Sequence, residues 1–307
     1  MDRVIAVLCS DIHLCHTVPV ARAAEPDWYA AMARPLKQLR ELSQQHEAPV
    51  VCAGDIFDDG WRERRCPPEL INFAIRELPD MYAVPGQHDL PNHRLEELER
   101  TAYWTLVKAG KIFHLEPGNP HWYGIAMNPV LHGFPWKVPI TPQVIDSQPR
   151  VHLAVVHSYI WQPGSSYPGA SEEQRVPGYL SSLQGYQAAV FGDNHKGFRF
   201  RSPDLSIINC GTLMRRKSDE REYTPQVGLL HRDGSISSHL LDVSEDVFSD
   251  PRESTQREAD ADQADRVLEE LKSLGADSLD YRDSLETYMR VHATPQSVRE
   301  LVLSSLG

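Results

Sequence analysis

Long apolar runs are missing from this chain. None approaches the roughly 20 consecutive apolar residues that a membrane-spanning helix needs, so no membrane partner is expected. The opening residues, Met1-Asp-Arg, lead straight into an apolar run from Val4 to Cys9, without the basic-then-apolar layout of a secretory signal. Cysteine is scarce as well. There are five, Cys9, Cys15, Cys52, Cys66 and Cys210, an odd number with no Cys-x-x-Cys pair. This speaks against a disulfide framework and against a zinc ion held by thiolates, and it fits a reduced, cytoplasmic setting. Cys9 and Cys52 fall within apolar strand patterns, where a free thiol serves as a small buried hydrophobe. No internal repeat is visible.

A basic excess is also lacking. The net charge is −12, but it is unevenly spread. From Asp242 onward 16 acidic residues face 7 basic ones, whereas residues 1–241 hold 27 against 24. The acidity therefore belongs mainly to the C-terminal segment, and a nearly neutral body does not exclude a polyanionic substrate.

What is present is a βα alternation over a chain long enough for one large core and a small appendage. Residues 4–10 read as a strand and residues 27–43 as a helix that Pro35 should kink or split. A second strand around Val51 is followed by a turn at 54–59 and a basic loop, Trp61-Arg-Glu-Arg-Arg65. A helix from near Pro67 to Leu78 precedes a strand at 81–84. A helical piece at 95–109 and short strands at 111–115, 122–126 and 130–133 come next. Residues 151–156 form a strong strand, residues 161–178 a long Pro-, Gly- and Ser-rich loop, residues 179–183 a helical piece and residues 188–191 another strand. Four further β runs, at 198–201, 205–209, 227–231 and 235–241, complete a first domain spanning 1–243. An acidic helical extension over 244–307 follows, with helices expected at 264–274 and 294–306.

The chemistry collects just past the strand ends. Asp11, His13, Asp55, Gln87, His88, Asp89, His157, Asp193 and His195 each follow an apolar strand pattern. Strands of one sheet bring such points to one edge, where open α/β sheets place their sites. Carboxylate and imidazole groups without thiolate suit Mn²⁺, Fe²⁺ or Zn²⁺, and their number suits two ions. Two ions about 3.5–4 Å apart clamp the attacking and leaving oxygens of a phosphoryl displacement.

The motif order resembles that of the calcineurin-like metallophosphoesterases. The chain carries Asp11-Ile-His13, Gly54-Asp-Ile-Phe-Asp58, Gly86-Gln-His-Asp89, a lone His157 after a strand, and Gly192-Asp-Asn-His195. The resemblance implies a four-layer α/β/β/α sandwich and a two-metal phosphoesterase. Carried over, it assigns Asp11, His13, Asp55 and His195 to one ion. A second ion falls to Asp55 as bridge, Gln87, His157 and Asp193. His88 would protonate the leaving oxygen or steady the transition state, with Asp89 orienting its ring. Gln87 departs from the usual Asn and Asp193 from the usual His, and both changes fall on the second ion. The longer amide and the shorter, charged carboxylate compensate in length and add an anionic oxygen. Such a harder site favours Mn²⁺, with Mg²⁺ the alternative. The other reading is a second site weakened or empty.

The segment Ile207-Ile-Asn-Cys-Gly-Thr-Leu-Met-Arg-Arg216, followed by two β runs, is similar to the same region of SbcD-type DNA-repair nuclease subunits, with Cys210 where Pro is usual. This implies a DNA exo- or endonuclease working beside an SMC-like ATPase, and a second copy of the chain is the other partner considered. Three basic clusters near the motifs, Arg62, Arg64 and Arg65, then Lys196, Arg199 and Arg201, then Arg215, Arg216 and Lys217, suit a phosphate backbone or are solvated loop charges. A phosphatase or phosphodiesterase of nucleotides, small molecules or phosphoproteins is the alternative enzyme. A DNA-end- or ATPase-binding subunit with reduced catalysis is the alternative of another class. His16, His93, His114, His121, His132 and His152 lie outside the motifs and read as core or surface residues, with His16 nearest to the first motif. Residues 133–136 read as a packed turn or a rim of the site.

Overall fold

The computed structural model describes residues 3–58, 60, 66–123, 129–143, 150–167 and 169–250, together with 289, 295, 296, 298 and 299. In chain order its strands are β1 (Val4–Cys9), β2 (Val50–Cys52), β3 (Met81–Ala83), β4 (Ile112–His114), β5 (His121–Trp122) and β6 (Val130–Phe134). They continue as β7 (His152–His157), β8 (Ala188–Gly192), β9 (Phe198–Arg201), β10 (Ser206–Asn209), β11 (Gln226–His231) and β12 (Ile236–Leu240). The helices are α1 (Trp28–His46), α2 (Pro68–Glu77), α3 (Ala102–Lys108) and α4 (Val176–Tyr179).

These strands make two mixed six-stranded sheets, in the orders β12-β11-β1-β2-β3-β4 and β5-β6-β7-β8-β10-β9. Strands β1 to β4 run parallel, as do β6, β7, β8 and β10, so the motif-bearing carboxyl ends share one edge in each sheet. The alternation of side chains along each strand divides the apolar residues among three cores. Val7, Cys9, Val50, Cys52, Met81 and Ile112 pack outward against α1, α2 and α3. Leu8, Val51, Val84, Leu131, Leu153, Val155, Val190 and Ile208 fill the space between the sheets. Val156, Ala189, Phe191 and Ile207 pack outward against residues of the 160–186 region. Three cores separate four layers, which is the α/β/β/α sandwich.

The helices follow from local chemistry. Asp27 caps α1 by accepting from the Ala30 N–H at 3.0 Å, and Trp28, Ala31, Met32, Leu36, Leu39 and Leu42 present one buried stripe. Glu47, in the left-handed region, stops it. Pro35 does not split this helix, which runs through it as one element of 19 residues. The expected helix at 95–109 is a 3₁₀ stretch, Leu95–Arg100, followed by α3, whose first turn Thr101 caps through the Trp104 N–H. The helical piece expected at 179–183 lies earlier, as α4. All five cysteines are buried free thiols, and Cys9 and Cys52 are paired neighbours in register on β1 and β2.

Contacts divide the chain into two units, the first ending at Asp246. Within that unit Arg215 is buried and pairs twice with Asp246, at 2.9 and 2.8 Å, while Arg34 lies 3.5 Å from the same carboxylate. Breaking such a buried pair costs about 3 kcal/mol or more. The catalytic body therefore keeps ordered partners beyond Val243. In the second unit Phe248 lies between the guanidinium groups of Arg22 and Arg221, 4.9 and 4.8 Å from its ring centre. The basic loop of Arg62, Arg64 and Arg65, the helix expected at 264–274 and most of that at 294–306 lie outside the described residues. Among the described residues no helix is long and apolar enough to cross a membrane.

Candidate metal centre

Two loops leave the ends of β1 and β2 and stay zipped together. The Asp11 N–H donates to the Gly54 carbonyl at 3.0 Å, His13 to Asp55 at 3.0 Å and Leu14 to Ile56 at 2.8 Å. To follow this path Asp11, His13 and Asp55 adopt φ of 50°, 50° and 54°, and Asp193 after β8 adopts 88°. A non-glycine residue held there costs on the order of 1–3 kcal/mol, and such strain gathers where function fixes the backbone. Residues 210–213 brace the loop after β1 and the turn after β8 that carries His195. Ser10 Oγ donates to the Gly211 carbonyl, Thr212 N to His195 O and Leu213 N to Asp11 O.

The side chains converge in two groups. In the first, His13 Nε2 and His195 Nε2 face each other at 3.0 Å, with Asp11 Oδ1 at 3.8 and 4.0 Å from them. In the second, Gln87 bridges its neighbours, donating from Nε2 to Asp193 Oδ1 at 2.5 Å and setting Oε1 2.5 Å from His157 Nε2. Asp55 stands between the groups. Its Oδ2 is 3.7 Å from His13 Nε2 and 3.5 Å from His157 Nε2, while Oδ1 accepts the His88 N–H at 2.9 Å. The seven residues expected as ligands are thus together, and Gln87 and Asp193, the two departures, touch each other.

Neighbouring groups fix the ring tautomers. His157 Nδ1 lies 2.6 Å from the Ala53 carbonyl, which can only accept, so Nδ1 carries a proton and Nε2 is the nitrogen turned inward. His88 Nδ1 donates in the same way to the Asp58 carbonyl at 2.8 Å. The Asp58 carboxylate lies 3.4 Å from His13 Nδ1. The expected orienting role of Asp89 is corrected here, because its carboxylate does not bond the His88 ring. It accepts the N–H groups of Ile56, Phe57 and Gly86 at 3.2, 3.0 and 3.0 Å and so ties the Gly54 and Gly86 turns together. The ring is held by Asp58, which sequence reasoning quoted in its motif but gave no role.

The electrostatics call for positive charge. Asp11 Oδ2 and Asp55 Oδ2 are buried with no hydrogen-bond partner, a costly state for a carboxylate oxygen. Burial first, with the charge of Asp55 adding, raises Asp11 to about 6 against the pull of His195 and His157. Burial would raise Asp55 too, but His157, His88 and His13 outweigh it and hold it well below the usual carboxylate range. For His157, burial favours the neutral ring, yet Asp55, Asp11 and Asp193 together push it up to about 10. Burial and the charge of Asp55 lift Asp89 to about 7, against its three backbone donors. In addition, His13 and His195 oppose two ring nitrogens, and His157 sets Nε2 against the Gln87 oxygen. A proton or a cation must mediate each contact. Groupings of Asp11, His13 and His195 and of Asp11, Asp55 and His157 each bring ligand atoms within 4.8 Å of one another. Hard oxygen and imidazole donors in this number fit two divalent cations.

The histidines outside the motifs are accounted for elsewhere. His16 bonds Tyr29 at 2.9 Å, His114 bonds Tyr103 at 3.1 Å, His121 bonds Tyr82 at 3.2 Å and His132 bonds His152 at 3.0 Å. Trp136 belongs to the site's wall, its ring edge-to-face with His157 at 6.1 Å and with His93 at 6.3 Å. Of the basic clusters, Arg215 is spent on Asp246, while Lys196, Arg199 and Arg201 are exposed along the segment leaving His195.

Glycines make the approach possible. A Cβ on Gly86 would stand 2.0 Å from Asp55 Oδ1 and 2.6 Å from its Cγ. Because Gly86 has an ordinary φ of −94°, Gly86→Ala tests contact alone. The variant should lose about 10²-fold in kcat/KM, the usual consequence of moving a reacting group by about 1 Å. Full activity at matched metal content would show that Asp55 tolerates displacement.

A hard-ligand dinuclear centre at the joined carboxyl edges of two packed sheets defines the class, a metal-dependent phosphoester hydrolase. Residues 6–197 match the model of the calcineurin-like phosphoesterases, and the chain belongs to that family. No curated protein matches it. Among solved structures it is similar to TT1561 of Thermus thermophilus, at 12% identity over 79% of this chain and 100% of that one, with a TM-score of 0.46. It is also similar to the calcineurin-like phosphoesterase YfkN from Bacillus subtilis, at 13% identity over 83% and 96%, TM-score 0.46. A dimetal phosphatase from Danio rerio shows 12% identity over 78% and 100%, TM-score 0.46. At this level the likenesses add nothing to the family assignment.

Proposed function

We propose that the protein is a two-metal phosphodiesterase acting on DNA, a nuclease subunit of the SbcD type. One observation carries the choice of substrate. The segment similar to SbcD-type subunits, residues 207–216, is the one that braces the loops carrying Asp11 and His195, through Ser10–Gly211, Thr212–His195 and Leu213–Asp11. Supporting it, Lys196, Arg199 and Arg201 form an exposed basic row leading away from His195, suited to a phosphate backbone. Asp11, His13, Asp55 and His195 would hold one cation, and Asp55, Gln87, His157 and Asp193 the other. The ions, most suitably Mn²⁺, would polarise the phosphoryl oxygens and neutralise charge developing there. His88, with its Nδ1–H committed to the Asp58 carbonyl, would meet the leaving oxygen through Nε2 and, in its doubly protonated form, give it the Nε2 proton, taking a replacement from solvent. Asp89 holds the turn that presents it.

The test is hydrolysis of plasmid, linear duplex, single-stranded DNA and a chromogenic phosphodiester, each with Mn²⁺ and with Mg²⁺. Cleavage of DNA that is strongest with Mn²⁺ is expected. Hydrolysis of monoesters or small esters only would replace the nuclease reading with a phosphatase. DNA binding without turnover in any metal would replace it with a binding subunit.

The contact between Gln87 and Asp193 makes a second expectation specific. Gln87→Asn alone shortens the arm that spans Asp193 and His157, and Asp193→His alone removes the acceptor of the Gln87 amide. Each single change should therefore weaken Mn²⁺ activation more than the double change does, with a coupling of about 1 kcal/mol or more across the cycle. Additive losses would show that the two positions act independently.

The acidic arm is the proposed docking element for an SMC-like ATPase, and the cytoplasm the proposed compartment. Truncation to test this belongs after Asp250 rather than at Val243, so that Asp246 stays to neutralise Arg215. The shortened chain should keep its melting temperature and its metal-dependent hydrolysis while losing a coiled-coil ATPase in a pull-down. Loss of thermal stability would make the arm part of the core.

A further inference from the structure

The loop that rises from β7 directly after His157 is fastened to the metal loops. Asn194, buried between Asp193 and His195, donates its amide to the carbonyls of Ile160 and Ser165 at 2.8 and 2.9 Å. Lys196 Nζ donates to Ser166 O at 3.2 Å. Asn194 and Lys196 are themselves held from below, since Asn209 Nδ2 donates to both of their carbonyls, at 2.6 and 3.1 Å. At the loop's start the Tyr179 hydroxyl donates to the Tyr159 carbonyl at 2.9 Å and meets Ser158 Oγ at 2.9 Å. The common effect of these bonds is to fix residues 158–167 against the turn that carries Asp193 and His195.

What the loop presents is aromatic. Tyr159 and Tyr167 meet edge to face, ring centres 5.0 Å apart, and Tyr167 remains 50% exposed. Tyr159 stands two residues after the ligand His157, and Tyr167 two residues after Ser165, whose carbonyl the Asn194 amide holds, so both rings belong to the segment bound to the turn of Asp193 and His195. Tyr167 thus keeps a half-exposed ring surface beside Tyr159, an amphipathic ring with one face available for contact. An exposed ring on a segment bound to the ligand-bearing turn of a phosphate-directed centre is an arrangement that can stack a base.

We propose that Tyr167, backed by Tyr159, is a platform on which a nucleobase of the substrate stacks while the adjoining phosphate occupies the metal centre. This rests on reading the substrate as nucleic acid and adds that the base next to the scissile phosphate is unstacked from its neighbours. Tyr167 is here a specificity residue that contributes through its ring face and not its hydroxyl.

The experiment is titration calorimetry on the full-length, Mn²⁺-loaded protein with 2′-deoxyadenosine 5′-monophosphate and with the base-free 2-deoxyribose 5-phosphate. The wild type should favour the nucleotide by roughly tenfold, the effect of one base–aromatic stack. Tyr167→Ala should bring the ratio of the two affinities close to one, and Tyr167→Phe should restore it. A wild-type ratio near one, or a ratio unchanged in Tyr167→Ala, overturns the platform. DNA cleavage with a ratio near one leaves the nuclease reading and removes the platform. A tenfold ratio with no DNA cleaved does the reverse.

Discussion

Replacing Asp55 by asparagine should abolish turnover and leave the fold in place. The carboxylate is buried, its Oδ1 engaged by the His88 N–H and its Oδ2 between His13 and His157 without a hydrogen-bond partner. Asparagine keeps one acceptor for His88 and tolerates the left-handed φ of 54° well. It loses the charge and the second oxygen, the atom placed to be shared by two cations. Residues that merely orient ligands cost 10–100-fold when removed, so a shared ligand should cost about 10³-fold or more. Metal content measured beside kcat at saturating Mn²⁺ decides the matter. Normal activity there would end the two-metal reading, whereas a lost activity with both ions still bound would assign Asp55 to charge rather than to holding.

The strands that carry the site were legible because the apolar runs at 4–10, 49–53, 81–84, 151–156 and 188–191 each end in a polar motif, and parallel strands in each sheet send those ends to one edge. Element ends shifted by a few residues, as where Pro35 stays inside α1 or where 95–109 breaks at Thr101. Local propensity could not decide these, since burial of the Leu36 and Leu39 stripe outweighs one missing backbone bond. The ligand cluster was legible as a set of residue types, but its internal bonds were not. Asp58 acts on His88 through a carbonyl, which every residue has, so its motif position carried no hint of the contact. Asp89 was given a ring to orient by the family resemblance, which carries that role over with the Gly86-Gln-His-Asp89 motif. In the fold its neighbours are three backbone amides of two different turns. Arg215 looked like part of a basic patch until Asp246, 31 positions later, came beside it. The left-handed backbone at Asp11, His13, Asp55 and Asp193 was invisible for the same reason, since it is imposed by pairing between loops and not preferred by the residues themselves.

The second large effect should separate proton delivery from ligand holding. His88 sits beside the centre with its ring edge-to-face to His13, centres 5.0 Å apart, and its Nδ1 proton committed to the Asp58 carbonyl. Nε2 is then the atom left for exchange with a leaving oxygen. His88→Ala should lower kcat on an alkyl phosphodiester by on the order of 10²–10⁴. A p-nitrophenyl ester should suffer less, because its leaving oxygen is stable without a proton. The His88 backbone N–H that engages Asp55 is untouched by this change, so metal content should hold, and measuring it guards against an indirect loss. Asp58 can be probed in parallel only through neighbours, since its carbonyl survives any substitution of the side chain. Equal losses on both esters would show that His88 shapes the centre without passing a proton, and the leaving oxygen would then depend on solvent or on the cations for its charge.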